Sequence, residues 1–143
     1  MSRGASMRKL DRRGAVAFEV ALVAVPLFTL RFVVFDLGRY AITAQSLGAL
    51  ADAEARTLMV QCYGPAKIAK TSPSACGGAD YLSAAQKQAV APFLYLDPLT
   101  PSVSITASAN TLTIKATQPG YKVLMPIWGT ALNAPSASTS IPF

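Results

Sequence analysis

Histidine is absent from the 143 residues, and charged side chains make up only 14% of them. An ordinary soluble domain has about 25% charged residues. The low charge and the 52% hydrophobic content therefore argue against a disordered tail and against a plain cytosolic domain. Without histidine the chain lacks the commonest general base and the commonest metal ligand. The length suits one globular domain.

Motifs that mark enzymes are missing as well. The chain has no GxSxG motif, no glycine-rich phosphate loop and no paired metal ligands, so we expect no enzymatic activity, no cofactor and no metal. The net charge of +6 does not predict nucleic-acid binding, because most of it belongs to a short N-terminal segment. That segment carries one acidic residue, Asp11, and five basic ones: Arg3, Arg8, Lys9, Arg12 and Arg13.

A long apolar run follows the basic segment, from Ala15 to Phe35, interrupted only by Glu19, Thr29 and Arg31 and carrying Pro26 as a possible kink. As a helix, these residues would span about 31 Å at about 1.5 Å per residue, roughly the thickness of a bilayer core. We predict a transmembrane helix over residues 15–37. The basic flank places the N-terminus in the cytoplasm, so residues 38–143 would be extracytoplasmic.

Two other interpretations of the apolar run are less well supported. A buried helix of a soluble protein would alternate polar and apolar faces, which this run does not. A secretory signal peptide needs a small-x-small cleavage site soon after its apolar core. The nearest such site is Ala49-Leu50-Ala51, well beyond Phe35, so we expect the run to remain as an anchor.

The start of the apolar run carries a second signal, the sequence RRGAVAFE formed by residues 12–19. It resembles the cleavage site of class III signal sequences, which prepilin peptidases process after a glycine. Cleavage after Gly14 would leave Ala15 first and Glu19 fifth in the mature chain, with Arg12 and Arg13 in a cytoplasmic leader of residues 1–14. The simpler alternative is that Glu19 snorkels to the interface and Gly14 merely precedes a helix.

The resemblance extends to the TadE-like proteins, the pseudopilins of Tad (tight adherence) pilus systems. RRGAVAFEVALVAVPLFTL and the following FDLGRYAITAQSL, with Asp36, Gly38 and Arg39, are similar to the start of that family. LTIKATQPGYKVLMPIWG and SASTSIPF resemble its ending, whereas residues 61–100 are not distinctive. Arg31 departs from the family pattern, and it would either snorkel outward or pair with an acidic residue of a partner helix. Asp36 and Arg39 are further candidates for helix contacts.

This resemblance implies a pilin-like α+β fold and a structural role. The partners it implies are a prepilin peptidase, the major Flp-type pilin, other minor pseudopilins, the inner-membrane assembly platform and membrane lipid. The implied location is the bacterial inner membrane, with a single pass and an extracytoplasmic domain. The alternative function is a signal-anchored adhesin or binding module outside any pilus system, in which the leader would stay attached.

Beyond the span, apolar residues continue at three- and four-residue spacings, which predicts one helix to about Val60, ended by Gly64-Pro65. Its first half would be transmembrane, and its amphipathic second half would pack on the domain. Cys62 and Cys76 are the only cysteines, and outside the cytoplasm such a pair predicts a disulfide.

The C-terminal half predicts a short helix over Tyr81–Ala91 and then strands, because the apolar period changes to two. Strands over 103–108 and 112–117 would be joined by a hairpin turn at 108–111, and 137–141 would form the last strand. Residues 121–125 would extend or follow the second strand. A long helix on three or four antiparallel strands is an α+β arrangement. We expect the apolar loop 125–129 to plug the core, although Trp128 also suits a membrane surface or a subunit contact.

Overall fold

The computed structural model describes residues 12–96 and 99–143, without the side chains of Arg12 and Arg13. Residues 1–11 of the predicted leader lie outside the described residues. The elements in chain order are helix α1 (Arg12–Leu58), a π-helical turn (Met59–Tyr63), helix α2 (Gly64–Ile68), helix α3 (Ala84–Val90) and strands β1 (Ser102–Ala107), β2 (Thr111–Thr117) and β3 (Ser136–Pro142). The fold is α+β, as predicted.

The chain divides into two compact units, residues 1–35 and 36–143. In the first unit α1 has no apolar partner among the described residues. Twelve large apolar side chains between Val16 and Phe35 are 51–68% exposed there. This excludes the helix from being the buried core of a soluble domain, because such a helix hides its apolar surface. It is long and apolar enough to cross a membrane, which suits a membrane anchor or a signal.

In the second unit α1 buries a stripe of side chains against the sheet. Its fully or almost fully buried apolar residues are Leu47, Leu50, Ala51, Ala55 and Leu58. They share one core with Ile105 of β1, Leu112, Ile114 and Ala116 of β2, and Ile141 of β3. The buried residues recur every three or four positions along the helix and every second position along β2, as the sequence predicted.

The sheet has three antiparallel strands in the order β1-β2-β3. Ile114 of the central strand pairs with Ile105 on one side and with Thr139 on the other. The hairpin between β1 and β2 is confirmed, and Ser108 N–H donates to the carbonyl of Thr111 at its closure. Residues 121–125 form no strand, so the sheet has the smaller of the two predicted sizes.

The predicted end of the long helix is wrong. Helical structure runs to Ile68, ten residues beyond the end of α1, because the π-helical turn carries the chain into α2. Gly64 keeps helical dihedrals and donates its N–H to the Met59 carbonyl. Pro65 then lies in the first turn of α2, where a missing N–H breaks no helical hydrogen bond. Gly64-Pro65 therefore continues the helical structure instead of ending it.

The helix predicted over Tyr81–Ala91 is shorter than expected. It begins at Ala84, after a capping box in which the Ser83 hydroxyl and the Gln86 side chain satisfy each other's backbone N–H groups. It ends at Val90, because Ala91 precedes Pro92 and takes non-helical dihedrals.

The predicted disulfide between Cys62 and Cys76 is present, with 5.9 Å between the Cα atoms. It joins the π-helical turn to the 3-10 turn Pro73–Cys76. Beyond Cys76, Gly77 lies so close to Ala107 that an added Cβ would be 3.1 Å from the Ala107 Cβ. Gly78 adopts a φ of 84° and donates its N–H to the Ile105 carbonyl, so this segment is fixed to the edge of the sheet.

Removing the disulfide is expected to lower the free energy of unfolding by about 3 kcal/mol, because the bond closes a loop of about fifteen residues in the unfolded chain. The measurement is urea unfolding of the full chain in neutral detergent, with and without dithiothreitol. The Cys62→Ser/Cys76→Ser variant is the control, since reductant should not change its midpoint. Equal stabilities of the oxidised and reduced protein would contradict this expectation.

Candidate functional site

The predicted processing junction lies in the first turns of α1. Gly14 is exposed, and a Cβ added to it would meet no atom within 4 Å. Glu19 is also exposed, one turn beyond Ala15. A peptidase would have to unwind the helix to reach the Gly14–Ala15 bond. Glycine makes this easier, because it stabilises a helix less than alanine does by about 1 kcal/mol.

The rival cleavage site for a signal peptide, Ala49-Leu50-Ala51, lies within the buried stripe of α1. Leu50 and Ala51 are both fully buried. Cleavage after Ala51 would divide the helix that covers the sheet and remove Leu47 and Leu50 from the core. The fold therefore depends on residues that a secreted form would lack.

Asp36 is the first residue of the second unit, and its carboxylate is fully buried. Oδ1 accepts the backbone N–H of Leu124 at 3.1 Å, and Oδ2 accepts that of Met125 at 2.8 Å. Hydrogen bonds to an ionised acceptor are stronger than neutral ones, and two of them offset the loss of hydration of the carboxylate. Asp36 thus holds the segment after Tyr121 against the helix.

Arg39 and Tyr40 contact the same segment through Tyr121. The Arg39 guanidinium carbon lies 5.7 Å from the centre of the Tyr121 ring, and the Tyr40 ring meets it edge-on at 6.4 Å. Burial raises the pKa of the Tyr121 hydroxyl, with the Arg39 charge opposing and Asp36 adding to that shift. The predicted contact residues Asp36 and Arg39 therefore converge on one segment of their own chain, whereas Arg31 is exposed in the first unit.

A cavity of about 230 Å³ lies beside Arg39 and Tyr121. On its floor, Gln118 is almost fully buried, and its amide donates to the carbonyls of Leu94 and Leu99 at 3.3 and 2.9 Å. These bonds join the end of β2 to the turn after α3. The other lining residues are Thr43, Phe93 and Leu96. The cavity has mostly apolar walls.

Glu54 is a buried carboxylate that the sequence analysis missed. It is fully buried, and Oε1 accepts the backbone N–H of Tyr81 at 2.6 Å. Burial raises its pKa from the ordinary value of 4.5. The Tyr81 N–H and the Lys87 ammonium oppose that shift, and the Asp80 carboxylate adds to it. Lys87 and Asp80 form an ion pair beside it. The signal was present in the sequence, because position 54 belongs to the apolar stripe formed by residues 51, 55 and 58.

The apolar loop does not plug the core. Ile127 is 59% exposed and Trp128 is half-buried, outside the core cluster. Residues Pro126–Trp128 form a short 3-10 turn, closed by Gly129 N–H donating to the Pro126 carbonyl. Gly129 has a φ of 55°, which suits glycine.

Within residues 12–96 and 99–143 no group of three or more acidic or cysteine side chains is placed to hold a metal ion. The chain matches no model of a known protein family, no curated protein and no solved structure. Its long apolar N-terminal helix, packed beyond Asp36 on a three-stranded antiparallel sheet, is a pilin-like architecture. The disulfide indicates an extracytoplasmic domain.

Replacing Asp36 by alanine is expected to lower the free energy of unfolding by about 3 kcal/mol, because two part-buried N–H groups lose a charged acceptor. Hydrogen exchange at the Leu124 and Met125 amides should accelerate in the full chain in neutral detergent. The matched control is Asp52→Ala, which removes an exposed carboxylate of the same helix that binds only the Thr139 hydroxyl. Equal losses of stability in the two variants would contradict the role of Asp36.

Replacing Glu54 by glutamine is expected to flatten the pH dependence of stability. Because the folded-state pKa of Glu54 is raised, the folded chain binds this proton more tightly than the unfolded chain. Stability is therefore greatest below the ordinary pKa and falls as the pH rises through the folded value. Urea midpoints measured from pH 4 upward would show this fall in the wild type and a smaller one in the variant. The two slopes would be equal if Glu54 did not cause it.

Proposed function

We propose that this chain is a minor pseudopilin of a Tad-type pilus assembly system, held in the bacterial inner membrane and processed by a prepilin peptidase. The observation that carries the proposal is the exposed apolar helix, which begins at the RRGAVAFE junction and continues into the helix that covers the sheet of a disulfide-containing domain. A pilin-type subunit needs this combination: an apolar helix for lipid and for neighbouring helices, and a folded domain outside.

The processing step would separate a basic leader from the anchor. Arg12 and Arg13 keep residues 1–14 on the cytoplasmic side, and cleavage after Gly14 frees the amine of Ala15. Glu19 lies about 6 Å further along the helix axis. An unpaired carboxylate costs about 2.5–3.5 kcal/mol at the middle of a bilayer and less near the interface. The new amine, in the same chain or a neighbour, can neutralise Glu19.

Residues 15–37 would span the membrane, and residues 38–143 would form the extracytoplasmic domain. Near the end of that span, Asp36 has its carboxylate buried against the backbone of Leu124 and Met125, so this charge is not exposed to lipid. Arg31 lies about 7.5 Å of helix rise before Asp36, so its long side chain reaches the outer interface by snorkelling. Glu19 and Arg31 thus place one charge toward each end of the span.

This protein would act by binding its partners and would catalyse no reaction. Its partners would be the prepilin peptidase, the major Flp-type pilin, other minor pseudopilins, the assembly platform and membrane lipid. The exposed apolar face between Val16 and Phe35 is the surface on which helix contacts would form. Its task would be to prime or assist pilus assembly.

The test is the N-terminus of the mature chain. Intact mass and N-terminal sequencing of protein from native membranes are expected to show a start at Ala15 that depends on the prepilin peptidase. Gly14→Val should block cleavage, because a branched side chain would occupy the protease cleft that glycine leaves open. The matched control is Gly4→Val, the same substitution within the leader, which should be cleaved normally. The strain with Gly14→Val should also lose surface pili.

The outcomes separate the candidate functions. A retained leader in the wild type would contradict processing and favour a signal-anchored binding module. Normal cleavage in the wild type, together with normal piliation in a strain that lacks the protein, would contradict the pilus role alone. A start near Asp52 would mean a secreted protein.

A further inference from the structure

We propose that the segment Leu124–Trp128, called here the interfacial loop, contacts the outer surface of the lipid bilayer that holds the apolar helix. The inference rests on the membrane anchoring in the proposed function and adds a second site of lipid contact. Its occupant is the interface of a phospholipid bilayer, where headgroups meet acyl chains. A contact of this kind would fix how the extracytoplasmic domain stands on the membrane.

The position of the loop follows from Asp36. This residue directly follows Phe35, the last residue of the exposed apolar segment, and its carboxylate binds the backbone of Leu124 and Met125. The loop is therefore held within hydrogen-bond distance of the point where the helix leaves the bilayer. The side chain of Asp36 is short, so its two hydrogen bonds keep Leu124 and Met125 close to the Asp36 backbone.

The loop is also shaped before any contact. Pro126 begins its 3-10 turn, and the N–H groups of Gly129 and Ala131 donate to the carbonyls of Pro126 and Trp128. On the approach to the loop, Val123 N–H donates to the Asn133 side chain. A preformed loop loses little conformational entropy when it binds a surface.

The chemistry of the loop suits a lipid interface. Leu124 and Ile127 are 61% and 59% exposed, and neither belongs to the apolar core of the domain. Trp128 is the only tryptophan of the chain, and tryptophan concentrates where membrane and water meet. Lys122 adds an exposed cation beside the loop.

The unique tryptophan makes the proposal directly measurable. The full chain is placed in nanodiscs of phosphatidylcholine and phosphatidylglycerol whose acyl chains carry bromine, a quencher of tryptophan emission, either near the glycerol or near the methyl end. Trp128 emission should shift to shorter wavelength on folding into nanodiscs. Its intensity should fall with bromine near the glycerol and fall less with bromine near the methyl end.

Two relocated probes serve as controls. Trp128→Phe/Phe28→Trp places the probe in the apolar segment, where bromine near the methyl end should quench strongly. Trp128→Phe/Tyr63→Trp places it about 40 Å along the helix from Asp36, where neither lipid should quench. Urea unfolding of each variant shows whether it has folded before its emission is interpreted.

The outcomes distinguish the loop from the anchor. Quenching of Trp128 and of the probe at position 28, without quenching at position 63, supports the proposal. Quenching at position 28 alone overturns it, leaves the anchor intact and assigns the loop to a protein partner. Absence of quenching at position 28 overturns the anchor, and the lipid contact of the loop falls with it.

Discussion

Burial of one stripe of α1 against the central strand β2 is the interaction on which the second unit depends. Leu47, Leu50 and Leu58 are fully buried, and so are Leu112 and Ile114 opposite them. Alternate residues of β2 are buried, so the sheet has one apolar face, and this helix covers it. The disulfide and the Tyr63 hydroxyl, which donates to the Pro142 carbonyl, then hold the far end of the helix to the same sheet.

The part of the same helix before Asp36 suits lipid, whereas the part beyond it packs on the sheet, and the composition of the two parts differs accordingly. Between Val16 and Phe35 the large apolar residues lie on all sides and are mostly exposed, whereas from Leu47 to Leu58 they lie on the buried face. Lipid requires apolar side chains all round a helix, but a sheet requires them only on the contact face. One continuous helical backbone serves both, because its hydrogen bonds are internal.

Three carboxylates of this helix show how charge is handled along it. Glu19 is exposed near the start of the apolar segment, and the proposed cleavage would supply its cationic partner. Asp36 is buried, and two backbone N–H groups stabilise its carboxylate. Glu54 is also buried, but its carboxylate accepts one backbone N–H, from Tyr81. Burial raises the pKa of Glu54, and the Tyr81 N–H and the Lys87 ammonium oppose that shift.

The sequence by itself determined the elements and their faces. Apolar spacing located the helix, the alternation from Val103 to Ala116 located the hairpin, and the cysteine pair predicted the disulfide. These are local or compositional signals, and they agree with the fold because each periodicity matches the geometry of its element. The sequence also marked Asp36 and Arg39 as candidates for helix contacts, but it did not indicate their contacts with the segment from Tyr121 to Met125.

Only the tertiary structure decided the rest. It showed that Gly64-Pro65 continues the helix through a π-helical turn, that Asp36 and Arg39 bind the segment from Tyr121 to Met125, and that Ile127 stays outside the core. These outcomes depend on residues 82 or more positions apart, or on a backbone adjustment shared between neighbouring turns. No local periodicity encodes such contacts, because they form only once the helix has folded onto the sheet.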